Sequence, residues 1–191
     1  MNDAVARAVV IGASAGAIQA LSEILPALPA DFSLPILIVV HVPADRSNIL
    51  APLFDKKCEM AVREAEDKEP ALGGMIYFAP PGYHLLVEAE GTLSLSSDEE
   101  VLYSRPSIDV LFESAADAYG PAVIGIILTG ANCDGAKGLK AIAAAGGTAL
   151  VQEPDNAYAS AMPRAALAEC STARAMSLAE IVNFLVKEFE E

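Results

Sequence analysis

The chain has 191 residues, of which 53% are hydrophobic and 20% are charged, and its formal net charge is −14. This composition excludes a disordered polypeptide, and the length predicts a single domain over residues 1–191 with a substantial core. Acidic residues spread along the chain, without Lys and Arg clusters, argue against a nucleic-acid partner. The longest apolar runs, such as Ala122–Leu128, are too short to span a bilayer, so we expect no membrane insertion.

The cysteines and the N-terminus indicate the compartment. Cys58, Cys133 and Cys170 form neither a CxxC pair nor a metal-ligand spacing, which is typical of a reducing environment. Residues Met1–Arg7 lack the long apolar segment of a secretory signal. We therefore predict a cytoplasmic protein.

Short apolar runs alternate with alanine-rich stretches along most of the chain. In order, the pattern predicts strand Ala8–Ile11, helix Gly16–Leu28, strand Ile36–Val40, helix Ser47–Phe54 and strand Met75–Ala79. It then predicts helix Arg105–Tyr119, strand Ala122–Leu128, helix Gly135–Ala145, strand Thr148–Val151, helix Met162–Ala168 and helix Leu178–Glu190. Continuous apolar runs are typical of strands that are covered on both faces.

Two segments depart from this alternation. Residues Tyr83–Leu95 alternate polar with apolar side chains, which predicts an antiparallel hairpin with one solvated face. The charged segment Lys56–Glu69 is interpreted as a solvated loop or an edge strand. The predicted fold class is α/β: a doubly wound, mostly parallel sheet with helices on both faces and an antiparallel hairpin.

Three predicted strands end in residues that carry acyl-transfer chemistry. Ser14 closely follows the first predicted strand, His41 directly follows the second, and Ala122–Leu128 leads into the loop that contains Asp134. The carboxyl ends of parallel strands meet at one edge of the sheet, where ligands bind. These residues are therefore candidates for the nucleophile, the base and the orienting acid of a catalytic triad.

Ser14 has two other interpretations. Gly12–Gly16 fits G-x-S-x-G in a strand–turn–helix context, but a serine there can also simply cap the helix that follows. A dinucleotide-binding turn is disfavoured, because Ser14 and Ala17 occupy the second and third glycine positions of that motif.

His41 and Asp134 also have structural alternatives. His41 could be a hydrogen-bonded strand-end residue without a chemical role, and Asp134 could be a helix N-cap. The second histidine, His84, begins the predicted hairpin and is interpreted as a site-rim or structural residue.

Separated motifs in the chain resemble a known family. The segments VVIGASAGAIQAL, VVHVP, RPSIDVLFESAA, GIILTGANCDGAKGL and VQEPDNAYASAMPRAAL are similar to the catalytic domain of the chemotaxis protein-glutamate methylesterases, the CheB family, from about Ala8 to Ala168. The resemblance implies an esterase that hydrolyses glutamyl methyl esters on the cytoplasmic helices of chemoreceptors. Some members of the family also deamidate receptor glutamines.

The resemblance also implies individual roles. Ser14 would be the nucleophile, His41 the base and Asp134 the orienting acid, with no metal or organic cofactor. Backbone N–H groups at Ala15 and Ala131 would hold the oxyanion.

Substrate contacts are expected from the Arg105 junction and from the segment Tyr158–Pro163, which contains Met162. Arg105, Arg164 and Lys137 are candidates for a basic patch beside the site.

Some positions depart from the family pattern, which usually has GASTGG in the first motif and TGMGxDG before the aspartate. Here Ala15 and Ala17 replace a threonine and a glycine, and Ala131 and Asn132 replace a methionine and a glycine. A loop at Asn132 that blocks Ser14 would favour the alternative function, a non-catalytic receptor- or ligand-binding relative of the same fold.

The sequence begins close to the first predicted strand, without the N-terminal receiver domain that the family commonly carries. The remaining alternatives are an unregulated domain, a separate response-regulator receiver protein as partner, or a fragment of a longer product.

Overall fold

The computed structural model describes residues 7–42 and 49–190. In this part of the chain the strands are β1 (Ala8–Ala13), β2 (Ile36–Val40), β3 (Ala61–Glu64), β4 (Met75–Phe78), β5 (His84–Val87), β6 (Leu93–Ser96), β7 (Val123–Ile127), β8 (Thr148–Gln152) and β9 (Arg174–Met176). The α-helices are α1 (Ala17–Ile24), α2 (Leu50–Asp55), α3 (Ile108–Tyr119), α4 (Ala136–Ala144), α5 (Ala161–Glu169) and α6 (Leu178–Glu190).

A seven-stranded sheet in the order β3-β4-β2-β1-β7-β8-β9 organises the described residues, and its paired strands are all parallel. The central strands β1, β2 and β7 are buried along their whole length. Burial on both faces explains why they are continuous apolar runs in the sequence. The predicted α/β fold with a mostly parallel sheet is confirmed.

The core lies in two layers on opposite faces of the sheet. Alternate residues of β1 belong to different layers: Val9 and Ile11 pack on the side of α1 and α6, and Val10 on the side of α3 and α4. This division follows from the period-two alternation of side chains along a strand.

Strands β5 and β6 form a separate antiparallel pair that packs on α3, which confirms the predicted hairpin. Strand β3, within the charged segment Lys56–Glu69, is an edge strand, one of the two interpretations of that segment. Strand β9 forms the opposite edge of the sheet. It was not predicted, because it has only three residues and they do not form an apolar run.

Helix boundaries differ from the predicted ones where the backbone is constrained. The predicted helix Gly16–Leu28 is α only to Ile24 and continues as a 3₁₀ turn at Leu25–Ala27, which contains Pro26. The helix predicted from Ser47 begins at Leu50, and Ser47 itself lies outside the described residues. Among the described helices, none combines the length and the apolar character needed to cross a lipid bilayer.

Candidate active site

The strand order brings three chain segments to one edge of the sheet. β1 lies between β2 and β7, with Ala13 opposite Val40 and Gly12 opposite Ile127. The backbone N–H of Ser14 donates to Thr129 O at 2.9 Å, and that of His41 donates to Ala13 O at 3.1 Å. The ends of the three strands are thus held together by backbone hydrogen bonds.

Ser14 and His41 line the same cavity, which has a volume of about 320 Å³. Its other lining residues are mostly apolar and come from β2, α1, α2 and the end of β4; they include Ile18, Val42, Ile49, Leu50, Phe78 and Pro81. The cavity therefore presents a hydroxyl and an imidazole within an apolar wall, the usual composition of a small-ligand site.

His41 and Asp134 form a close pair: His41 Nε2 lies 2.7 Å from Asp134 Oδ2. The His41 side chain is 12% exposed, whereas that of Asp134 is fully buried. A carboxylate only accepts hydrogen bonds, so it fixes the proton of neutral His41 on Nε2 and leaves the lone pair on Nδ1.

Asp134 accepts further hydrogen bonds from the start of α3. Its Oδ2 accepts from the N–H of Ile108 at 2.7 Å, and its Oδ1 accepts from the N–H of Asp109 and the hydroxyl of Ser107, both at 3.0 Å. The positive end of the α3 dipole also faces this carboxylate.

Burial raises the pKa of Asp134, but the hydrogen bonds outweigh burial. The bond from His41 lowers the pKa most, followed by the backbone bonds from Asp109 and Ile108. The net result is a pKa below the ordinary value, which keeps Asp134 ionised.

The Asn132 side chain contacts both His41 and the backbone of Asp134. Its Nδ2 lies 3.2 Å from His41 Nδ1, and its Oδ1 accepts the N–H of Asp134 at 3.1 Å. The sequence singled out Asn132 for its effect on the loop backbone, whereas the structure shows a contact of its side chain with the imidazole.

Ser14 Oγ has no hydrogen-bond partner in residues 7–42 and 49–190. The backbone N–H groups of Ala15 and Ala131 likewise meet no acceptor within the described chain. Unpaired backbone N–H groups can stabilise an oxyanion, and the predicted role of both residues stays a prediction.

The Thr129 hydroxyl joins the loops around Ser14. Thr129 Oγ1 donates to Ala15 O at 2.8 Å and accepts from the N–H of Ala159 at 2.9 Å. Thr129 is 1% exposed. One buried oxygen therefore connects the loops that follow β1, β7 and β8.

The two predicted substrate contacts have different environments. The Arg105 guanidinium donates to the backbone carbonyls of Ser97 and Asp98 at 3.0 and 2.9 Å. The Met162 side chain is 1% exposed and packs beneath Gly130. Met162 thus supports the loop from below, and a substrate contact by either residue stays a prediction.

The candidate basic patch is partly neutralised. Arg164 pairs with Asp155 at 3.1 Å, and Arg105 is engaged by carbonyl oxygens, while Lys137 is exposed. Exposed pairs of this kind are weak, so Arg164 remains accessible to another anion.

His84 and Asp109 are supporting residues whose contacts the sequence did not predict. His84 is 2% exposed, donates from Nε2 to Glu99 O and accepts at Nδ1 the N–H of Ser107. It is structural and buried, which agrees with one of the two interpretations given above. In the sequence, Asp109 is only one of the residues within the predicted helix Arg105–Tyr119.

In the described part of the chain, no three His, Cys, Asp or Glu side chains cluster closely enough to hold a metal ion.

Comparison with known proteins identifies the family. A family model described as CheB methylesterase matches residues 9–185. A Leptospira interrogans protein, named provisionally as a protein-glutamate methylesterase/protein-glutamine glutaminase, is 48% identical over 180 residues, which cover 94% of this chain and 93% of that protein. A Symbiobacterium thermophilum protein-glutamate methylesterase/protein-glutamine glutaminase is 39% identical, and the match covers 83% of this chain but 44% of that protein.

Among solved structures, the CheB methylesterase catalytic domain of Thermotoga maritima superposes with a TM-score of 0.89 at 31% identity, covering 96% of this chain and 99% of that one. The family-model match extends over most of the chain, and the solved catalytic domain has the same fold. The chain belongs to the CheB methylesterase family.

Proposed function

We propose that the chain is a serine hydrolase that demethylates glutamyl methyl esters on chemoreceptors through Ser14, His41 and Asp134. The observation that carries the proposal is the 2.7 Å contact between His41 Nε2 and the carboxylate of the buried Asp134, together with the cavity that both His41 and Ser14 line. The names of the relatives supply the substrate class.

In this proposal the base is one particular nitrogen of His41. Asp134 engages His41 Nε2, so the proton of the Ser14 hydroxyl passes to Nδ1. Asp134 stays ionised and stabilises the imidazolium that forms.

Acylation then follows from these positions. Ser14 Oγ attacks the ester carbonyl carbon, and the carbonyl oxygen becomes an oxyanion near the N–H groups of Ala15 and Ala131. The tetrahedral intermediate collapses as His41 Nδ1–H protonates the methoxy oxygen. Methanol leaves, and the glutamyl group remains on Ser14 as an ester.

Deacylation reverses the roles with water as the nucleophile. Water gives a proton to His41 Nδ1 and adds to the acyl carbon, and the bond to Ser14 Oγ breaks as Nδ1–H returns its proton. The product is a glutamate carboxylate. With a glutamine side chain the leaving group is ammonia, so the same residues suit deamidation.

We further propose that residues 1–191 work as one catalytic unit. The two core layers pack on a common sheet, which supports a single unit.

A second candidate function is receptor or ligand binding without catalysis. The contact of Asn132 Nδ2 with His41 Nδ1 favours it, because the nitrogen that Ser14 needs is occupied. The lack of a hydrogen bond to Ser14 Oγ among the described residues points the same way.

The test is methanol release from methylated chemoreceptor fragments by the wild-type protein and by Ser14→Ala. The control is Ser171→Ala, an exposed serine outside the cavity. Release that is lost in Ser14→Ala and kept in Ser171→Ala supports the esterase. Release by neither the wild type nor the control, with the receptor fragment still bound, overturns it in favour of the binding function.

A further inference from the structure

Asn132 has a fixed amide orientation. The N–H of Asp134 can only donate, so the Asn132 atom that faces it must be the carbonyl Oδ1. The amide nitrogen Nδ2 therefore points at His41 Nδ1, 3.2 Å away.

His41 is equally constrained. Asp134 accepts the proton on Nε2, so Nδ1 of the neutral ring carries the lone pair. Asn132 Nδ2 thus donates into the lone pair that would take the Ser14 proton. An imidazole nitrogen has a single in-plane lone pair, so Asn132 and Ser14 compete for it.

We propose that Asn132 is a positioning residue that holds His41 Nδ1 in the resting enzyme and must release it before Ser14 can be deprotonated. The contact joins residues that lie 91 positions apart and is half-buried, so it is built by the fold rather than by local turn geometry. The inference rests on the proposed function, because it needs His41 Nδ1 to be the base.

Protonation of His41 breaks the contact. Once Nδ1 carries a proton, an N–H donor faces the amide N–H donors of Asn132, and the two groups repel each other. Asn132 therefore stabilises the ground state of the imidazole and not the imidazolium that follows. A group that favours only the ground state lowers kcat.

Two substitutions separate this role from a structural one. Asn132→Ala removes the donor to His41 and the acceptor for Asp134 N–H. Asn132→Asp keeps the acceptor for Asp134 N–H but places a carboxylate beside Nδ1, which favours the protonated ring and so removes the free base. Asn183→Ala, on an exposed position of α6, is the matched control.

We expect kcat for ester hydrolysis to rise about two- to tenfold in Asn132→Ala, the effect of losing one neutral hydrogen bond, with KM unchanged. We expect kcat to fall in Asn132→Asp. A residue that merely supports the loop would give the opposite result, with activity lost in the alanine variant and kept in the aspartate variant. That pattern, or an alanine variant no faster than the wild type, overturns the proposal.

A second measurement does not depend on activity. The chain has two histidines, so ¹⁵N resonances of the imidazoles assign directly, and His84 is the internal reference. We expect His41 to be protonated on Nε2. In Asn132→Ala its Nδ1 resonance should move toward that of an imidazole nitrogen that accepts no hydrogen bond, while the resonances of His84 stay unchanged. A His41 Nδ1 resonance that does not move overturns the contact itself. Ester hydrolysis that Ser14→Ala retains overturns the proposed function, and with it the release step, while the contact between Asn132 and His41 stands.

Discussion

Asp134 binds the start of α3, the helix that contains Asp109, and Asp109 binds the start of α4, the helix that follows Asp134. Asp134, which precedes α4, accepts the N–H groups of Ile108 and Asp109 at the start of α3. Asp109 Oδ1 in turn accepts the N–H groups of Gly135 and Gly138 at the start of α4, at 3.0 and 2.7 Å. The two carboxyl groups therefore tie the starts of α3 and α4 together behind His41.

This arrangement places two buried carboxyl groups close together, and the pKa of Asp109 reflects it. Burial raises the pKa of Asp109 to about 6 and the charge of Asp134 adds to the rise, while hydrogen bonds from Gly138 and Gly135 lower it. Because this value lies above the ordinary 3.8, the stability contributed by protonated Asp109 is complete below pH 3.8 and is lost as pH rises through about 6.

Asp109→Asn should therefore stabilise the protein at neutral pH. The amide keeps an oxygen for Gly135 and Gly138 but carries no charge. We expect a gain in the free energy of unfolding of about 3 kcal/mol near pH 7.5, falling to about half of that near pH 5. Urea denaturation at the two pH values measures it.

The control for this measurement is Asp117→Asn, which removes a charge from an exposed position of the same helix. Its effect on unfolding should be small and should not change over this pH range. A gain in Asp109→Asn that is the same at both pH values would contradict a titrating Asp109.

Asp134→Asn should remove most of the activity. An amide NH₂ in place of one oxygen faces N–H or O–H donors whichever way it is turned, since both oxygens of Asp134 accept hydrogen bonds. We expect kcat to fall about 10⁴-fold because His41 loses the group that sets its tautomer. Burst and steady-state kinetics on a methyl ester measure this.

The same change should lower the free energy of unfolding by about 1–3 kcal/mol, the cost of a buried donor without a partner. Asp117→Asn again serves as the control. An Asp134→Asn variant with near-normal kcat would remove Asp134 from the proposed mechanism.

His84→Leu should destabilise the fold. The ring accepts the N–H of Ser107 at 3.1 Å and donates to Glu99 O at 2.9 Å, and leucine can do neither. We expect a loss of about 1–3 kcal/mol in the free energy of unfolding with an unchanged m-value.

His84→Gln is the matched variant, because its amide can both accept and donate. It should recover part of the loss. Equal stability of the leucine variant and the wild type would show that the two buried hydrogen bonds contribute nothing.

Gly12 lies against the first residue of α3, and adding a methyl group there should strain the packing. A Cβ at Gly12 would lie 2.4 Å from Ile108 Cγ2. We expect Gly12→Ala to cost about 1–3 kcal/mol of stability. A double-mutant cycle with Ile108→Ala tests the cause: the two costs should be less than additive, and full additivity would exclude a clash between these residues.

The sheet and the ends of its central strands could be predicted because each strand is marked by its own short stretch of sequence. β1, β2 and β7 are continuous apolar runs, each followed by small or polar residues, and this pattern suffices to place Ser14, His41 and the Asp134 loop at one edge. Their catalytic roles were predicted from that placement and from family resemblance, and remain predictions.

The contacts between side chains could not be predicted from the sequence in this way. Asn132 meets His41 only because two loops approach each other across the sheet edge, and no spacing in the sequence encodes the direction of either side chain. Asp109 was not singled out within the predicted helix Arg105–Tyr119, because nothing in the sequence indicates that its carboxyl group binds the start of α4. Strand β9 was missed because its pairing with β8 leaves no apolar signature.

The buried Thr129 hydroxyl connects the loop after β8 to the backbone next to Ser14. The same oxygen atom holds Ala15 O and the N–H of Ala159, so displacement of the 157–160 segment by a bound helix would pull on the residue next to the nucleophile. The residue that follows Ser14 and the loop after β8 thus share one hydrogen-bonding atom, and neither can shift without disturbing the bond to the other.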